Sequence, residues 1–135
     1  MRLASRIAVA AALTAAVSPA FAQSDRAARA QAELAKEIKG RTAGAPVKCL
    51  NLREIRSTRI IDRTAIVYEM AGGLIYVNTP KGGASSLDKW DVLVTNTHSS
   101  QLCDVDIVKL YDSGSRMSSG FVNLGAFVPY RKAKG

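Results

Sequence analysis

The sequence predicts a mainly β protein: a small antiparallel sandwich or partly open barrel, preceded by one peripheral N-terminal helix. Three observations predict it. From Val47 on, short runs of β-branched and aromatic residues alternate with turn signals, the pattern of a small all-β unit. Helical apolar spacing is confined to residues 24–39. Two cysteines, Cys49 and Cys103, fall within the β-rich stretch, where a crosslink would staple a domain with a modest core.

The chain opens with the three-part layout of a secretory signal peptide. Arg2 and Arg6 form a basic start, Ile7 to Val17 is an apolar run, and Ala20-Phe21-Ala22 is an A-x-A cleavage site. Cleavage is expected after Ala22, with the product periplasmic or secreted. The run is about half the ~20 residues that a spanning helix needs. No later stretch is long and apolar enough to span, so no transmembrane segment is expected after cleavage. The cleavage point carries no cysteine, which argues against a lipid-anchored N-terminus.

Residues 23–46 read as helix and linker. Ser24 is placed to cap a helix reaching Lys39, with Asp25 in its first turn and Gly40 as its stop. Ala27, Ala30, Leu34 and Ile38 form one thin stripe that buries little, so deletion of residues 23–45 is expected to leave the β unit folded. Arg41 to Pro46 is turn-rich and reads as a linker.

Residues 47–130 form the β domain. Ile55–Ile61 is rich in β-branched residues and Asp62-Arg63 is a turn. Thr64–Met70 and Leu74–Asn78 make a hairpin around Ala71-Gly72-Gly73. Thr79–Ser86 is a loop, Trp90–Thr97 a strand, Cys103–Asp106 a tight turn and Ile107–Tyr111 a strand. Asp112–Gly120 is a polar loop. Phe121–Tyr130 holds a final short strand with Gly125 as a kink or bulge and Pro129 at its end. The expected core includes Ile66, Tyr68, Ile75, Val77, Val92, Val94, Ile107 and Leu110. Residues 131–135 read as a basic tail.

Cys49 and Cys103 are the only cysteines. In an oxidising compartment such a pair is expected to form one disulfide, closing a loop of about 55 residues worth roughly 4 kcal/mol. A redox or zinc reading lacks C-x-x-C and has too few ligands beside one histidine.

Removing the leader leaves 17 Lys/Arg against 11 Asp/Glu, a formal +6. That is compatible with anionic envelope partners and equally with an ordinary solubility charge. Arg53, Arg56 and Arg59 are the candidate anion-binding residues. Arg63 would join Arg53 and Arg59 on one face only if the segment were extended and unbroken.

The catalytic inventory is thin. A hydrolase would have to use His98, with Ser99 or Ser100 and Asp91 or Asp104, but no strained nucleophile turn is present. Asp104, Asp106 and Asp112 lack the remaining pattern of a calcium loop and read as turn caps. Lys81-Gly82-Gly83 lacks the spacing and following helix of a phosphate loop. The aromatic residues are interleaved with strand apolars and read as core, so no nucleic acid partner is expected. No cofactor or metal is implied.

Several short stretches together resemble a family of small exported proteobacterial proteins sharing a domain of unknown function. They are Cys49, Ile60-Ile61-Asp62-Arg63-Thr64-Ala65-Ile66 and Gly72-Gly73-Leu74-Ile75-Tyr76-Val77-Asn78. Leu102-Cys103-Asp104-Val105-Asp106 and Leu124-Gly125-Ala126-Phe127-Val128-Pro129-Tyr130 complete the set. The resemblance covers about residues 47–130, in the order C…Y-x-N…L-C-x-x-D…L-G-x-F-x-P. The family pattern has four cysteines, the second and fourth falling where this chain has Ala84 and Val122. Their joint loss implies first-to-third pairing, hence Cys49 with Cys103. The resemblance implies envelope location and a β-rich fold, and no activity.

The expectation is therefore a non-enzymatic exported envelope protein with a binding or structural role. Its partner would be an envelope protein or an anionic envelope polymer. The alternatives are a dedicated module for anionic envelope components and the His98 hydrolase.

Overall fold

The computed structural model describes residues 20–134. Most of the predicted leader lies outside the described residues. Helix α1 (Ala20–Ile38) precedes strands β1 (Arg41–Ala43), β2 (Cys49–Asn51), β3 (Ile55–Ile61), β4 (Ala65–Met70) and β5 (Ile75–Asn78). They are followed by β6 (Asp91–Thr95), β7 (Gln101–Cys103), β8 (Ile107–Asp112), β9 (Ser118–Asn123) and β10 (Phe127–Lys132). The strands pair antiparallel in three open sheets of order β1-β10-β5-β4-β3, β6-β8-β9 and β2-β7. The fold is the expected mainly β sandwich, with no closed barrel among the described residues.

Period-two alternation along β4 organises the layers. Ala65 and Val67 face α1, together with Ile61, Ile75 and Val77. Ile66, Tyr68 and Met70 face the other way, into a core shared with Leu50, Leu102, Val108, Leu110, Val122 and Phe127. A strand covered on both faces reads as a continuous apolar run, which is why residues 64–70 stood out. The rings of Tyr68 and Phe127 meet edge to face, with centroids 5.7 Å apart. α1, the five-stranded sheet and the two smaller sheets thus stack as three layers.

Several local expectations change. α1 passes through Ser24, so Ser24 does not cap it; Ala20 to Gln23 supply helix formers and no breaker. The supposed linker contains β1, which pairs with β10 as far as Arg41↔Lys132. The first two residues of the supposed basic tail are therefore strand. Cys103 ends β7 and also opens the expected turn, in which its carbonyl accepts from Asp106 N at 3.0 Å. The segment 121–130 is two strands in two different sheets, separated at Leu124–Ala126. Val92, Val94 and Ile107 lie outside the core, at 51%, 42% and 55% exposure. Their neighbours Leu93 and Val108 face inward instead.

The helix lies at the periphery as expected, yet it is the only cover over its sheet face among the described residues. Ala30 is buried there, and Leu34 and Ile38 are half-buried beside it. A small side chain at Ala30 lets the helix backbone approach the sheet. Deletion of residues 23–45 would uncover Ile61, Val67, Ile75 and Val77 and remove β1. The expected outcome is now loss of cooperative unfolding, read by urea titration followed by circular dichroism; an intact sigmoidal transition would show that the helix is dispensable.

Candidate interaction surface

The outer face of the β6-β8-β9 sheet is apolar where solvent would favour polar side chains. In register, Val92 sits opposite Tyr111, Val94 opposite Lys109, and Lys109 opposite Phe121. Directly opposed residues share a face, so Val92, Val94, Ile107, Lys109, Tyr111 and Phe121 form one surface. Phe121 is 56% exposed. Trp90, just before β6, is 67% exposed and lies 5.3 Å from the Nζ of Lys89, a cation–π distance. The reverse side of the same strands carries Leu93, Val108, Leu110 and Val122 into the core. Sequence reasoning missed this surface. Its signal is the uninterrupted Val92-Leu93-Val94, which offers apolar side chains to both faces.

The three candidate arginines separate. Arg53 lies on an exposed 3₁₀ turn, Leu52–Glu54, where Asn51 Oδ1 accepts from Arg53 N at 3.1 Å. Arg56 is exposed at the bulge between Ile55 and Ser57. Arg63 occupies the β3–β4 turn with φ 52°. The segment is therefore neither extended nor unbroken.

Arg59 is engaged by carboxylates. Its Nε and Nη2 donate to Glu37 Oε1 and Oε2 at 2.9 and 2.7 Å, and its Nη1 donates to Glu69 Oε2 at 3.1 Å. This fork clamps α1 to the edge of the sheet. Glu37 raises the Arg59 guanidinium further above its usual range. The Arg59 hydrogen bond, with help from Ser57, holds the Glu69 carboxyl below its usual range. A depressed carboxyl contributes stability above its unfolded pKa and loses it as pH falls through the folded value. Thermal unfolding measured from pH 6 down to pH 3 should therefore show an acid-side decline that shrinks in Arg59→Gln; an identical profile in that variant would exclude the clamp as its source.

The remaining candidates resolve into turn chemistry. Asp106 Oδ2 accepts from Cys103 N at 2.6 Å. Asp112 Oδ1 accepts from Gly114 N and Ser115 N at 3.1 and 2.6 Å, which holds its carboxyl below the usual range. No cluster of metal-ligating side chains forms among the described residues. His98 is exposed in the β6–β7 loop, where the Ser99 hydroxyl accepts from Gln101 N at 3.2 Å. Asp91 begins β6 opposite Asp112, and its buried Oδ2 has no hydrogen-bond partner among the described residues. No hydrogen bond links His98 to a serine or carboxylate there. Lys81 and Gly82 pair through their backbone with Asn123, which fixes that loop to β9.

A polar crevice of about 520 Å³ runs between α1, Asp62 and the Asp88-Lys89 loop. Arg26, Arg29 and Lys89 alternate there with Asp25, Glu33, Asp62 and Asp88, so it favours neither sign of charge. Cys49 and Cys103 face each other across β2 and β7 and are joined by the expected disulfide. No helix among the described residues is long and apolar enough to cross a membrane. No family model, curated protein or solved structure matches the chain.

Proposed function

We propose that this is a non-enzymatic exported protein of the cell envelope whose role is binding, through the outer face of the β6-β8-β9 sheet. The uncovered apolar surface carries the reading: a solvated sheet face gains nothing from Val92, Val94, Ile107 and Phe121 unless something covers them. Export rests on the leader layout of residues 1–22. The disulfide fits an oxidising compartment. The resemblance of residues 47–130 to a family of small exported proteins implies the same location by analogy.

Binding of anionic envelope components is a second reading, favoured by one observation. Lys109 stands in the middle of the apolar face with Val94 and Phe121 on either side.

Fractionation of expressing cells tests the proposal. The protein should be recovered with the envelope fraction. A Val92→Ser/Phe121→Ser variant, with disulfide and circular dichroism unchanged, should move to the soluble fraction. Equal distribution of the two would remove the sheet face from the function.

A further inference from the structure

We infer that the occupant of this sheet face is an anionic lipid surface, with Trp90 and the apolar strand residues entering the headgroup region and Lys89 and Lys109 meeting its negative charge. The inference rests on the binding reading above and names its partner.

The face is small. Three strands about 4.8 Å apart and about five residues long present roughly 250 Å², whereas a stable protein interface uses about 800 Å² per partner. A bilayer surface needs no matched counterpart. It accepts a few apolar and aromatic side chains and adds attraction for each nearby lysine.

The charge pattern points the same way. Lys109 is the only charged side chain among the strand residues of this face, and Lys89, which also borders the mixed-charge crevice beside Glu33 and Asp62, lies against Trp90 just before β6. Arg116 is exposed in the turn joining β8 to β9, beside the exposed Met117. A second copy fits poorly. In a two-fold dimer centred on the face, Lys109 would be buried against the partner's Lys109, a desolvated like-charge pair. Trp and Tyr with flanking Lys is the composition that settles at a membrane–water boundary.

Trp90 is the single tryptophan of the chain, so its fluorescence reports directly from the site. The protein purified after export should show a blue shift and co-sediment with mixed phosphatidylglycerol–phosphatidylcholine vesicles, and not with phosphatidylcholine alone. Binding should weaken as salt shortens the screening length from about 10 Å at 0.1 M to about 3 Å at 1 M. Lys109→Glu, a change of two charges, should weaken partitioning about thirtyfold, and Phe121→Ser should also weaken it. His98→Ala should bind as the parent does. Circular dichroism and thiol alkylation of each variant confirm the fold. Absence of both shift and sedimentation at low salt overturns the inference, as does equal binding to neutral vesicles. A blue shift that appears with protein concentration alone overturns it in favour of a second copy. Envelope association that depends on Val92 and Phe121 while vesicles fail overturns the lipid partner and leaves the binding role, through a protein, standing.

Discussion

Replacing Cys49 and Cys103 together by alanine should lower the unfolding free energy by about 4 kcal/mol and the Tm by roughly 15 °C. The bond closes a loop with sequence separation 54, so its loss returns a large conformational freedom to the unfolded chain. The native state also loses a support. Among the described residues β2 and β7 pair only with each other, over three residues, and an isolated two-stranded ribbon is marginal. Leu50 and Leu102, directly beside the cysteines, are both buried in the main core. Freeing the ribbon therefore loosens the core lid as well. Urea unfolding of the double variant and of the reduced parent should give the same midpoint, well below that of the oxidised parent. A midpoint unchanged by either treatment would show that packing of the two leucines alone holds the ribbon.

The second large effect is expected at Asn78. This side chain is fully buried, and it clasps the backbone of Gly125. Nδ2 donates to the Gly125 carbonyl at 2.6 Å, and Gly125 N donates to Oδ1 at 3.0 Å. Asn78→Leu keeps the branched four-heavy-atom side chain and strands a buried N–H and a buried C=O, which should cost about 3 kcal/mol. Asn78→Asp separates hydrogen bonding from shape. Burial raises the pKa of the introduced carboxyl above the unfolded value of about 3.9. Its protonated form can donate to the Gly125 carbonyl. The variant's stability should therefore be greatest below about pH 4 and be lost as pH rises. At pH 7 it should be less stable than Asn78→Leu; at pH 4 it should be more stable. Denaturant midpoints at the two pH values decide this, and a pH-independent ranking would exclude the clasp. A side chain at Gly125 is excluded for a related reason: a Cβ there would collide with the Thr79 carbonyl oxygen. The Y-x-N and L-G-x-F stretches thus meet in one structural joint.

What was legible in the sequence was local. The hairpin of β4 and β5 announces itself through two apolar runs around Ala71-Gly72-Gly73, where both glycines take positive φ. The disulfide followed from the cysteine number and the compartment expected from the leader. β1, β2 and β7 escaped because three-residue strands owe their existence to partners far along the chain, not to propensity. The face of β6 was misassigned because apolar residues flank Leu93 on both sides, so alternation carries no sign there; in β8 Lys109, between the buried Val108 and Leu110, marks the outer face that Ile107 shares. The ion pairs of Arg59 were hidden for another nonlocal reason: Glu37 and Glu69, which engage it, lie on other elements of the fold.

The insertion of β10 between β1 and β5 has a kinetic consequence. The β3–β4, β4–β5 and β8–β9 hairpins can each zip from a short turn, whereas β1–β10 and β10–β5 join distant parts of the chain and must wait for slow closure. The middle of the polypeptide should gain hydrogen-exchange protection first and the β1–β10 ladder last. A chain emerging N-terminus first leaves the edge of β5 open until residues 127–132 follow. During that interval the edge is a template for strands of other molecules, and it is there that a holding chaperone would do most to keep the chain from aggregating.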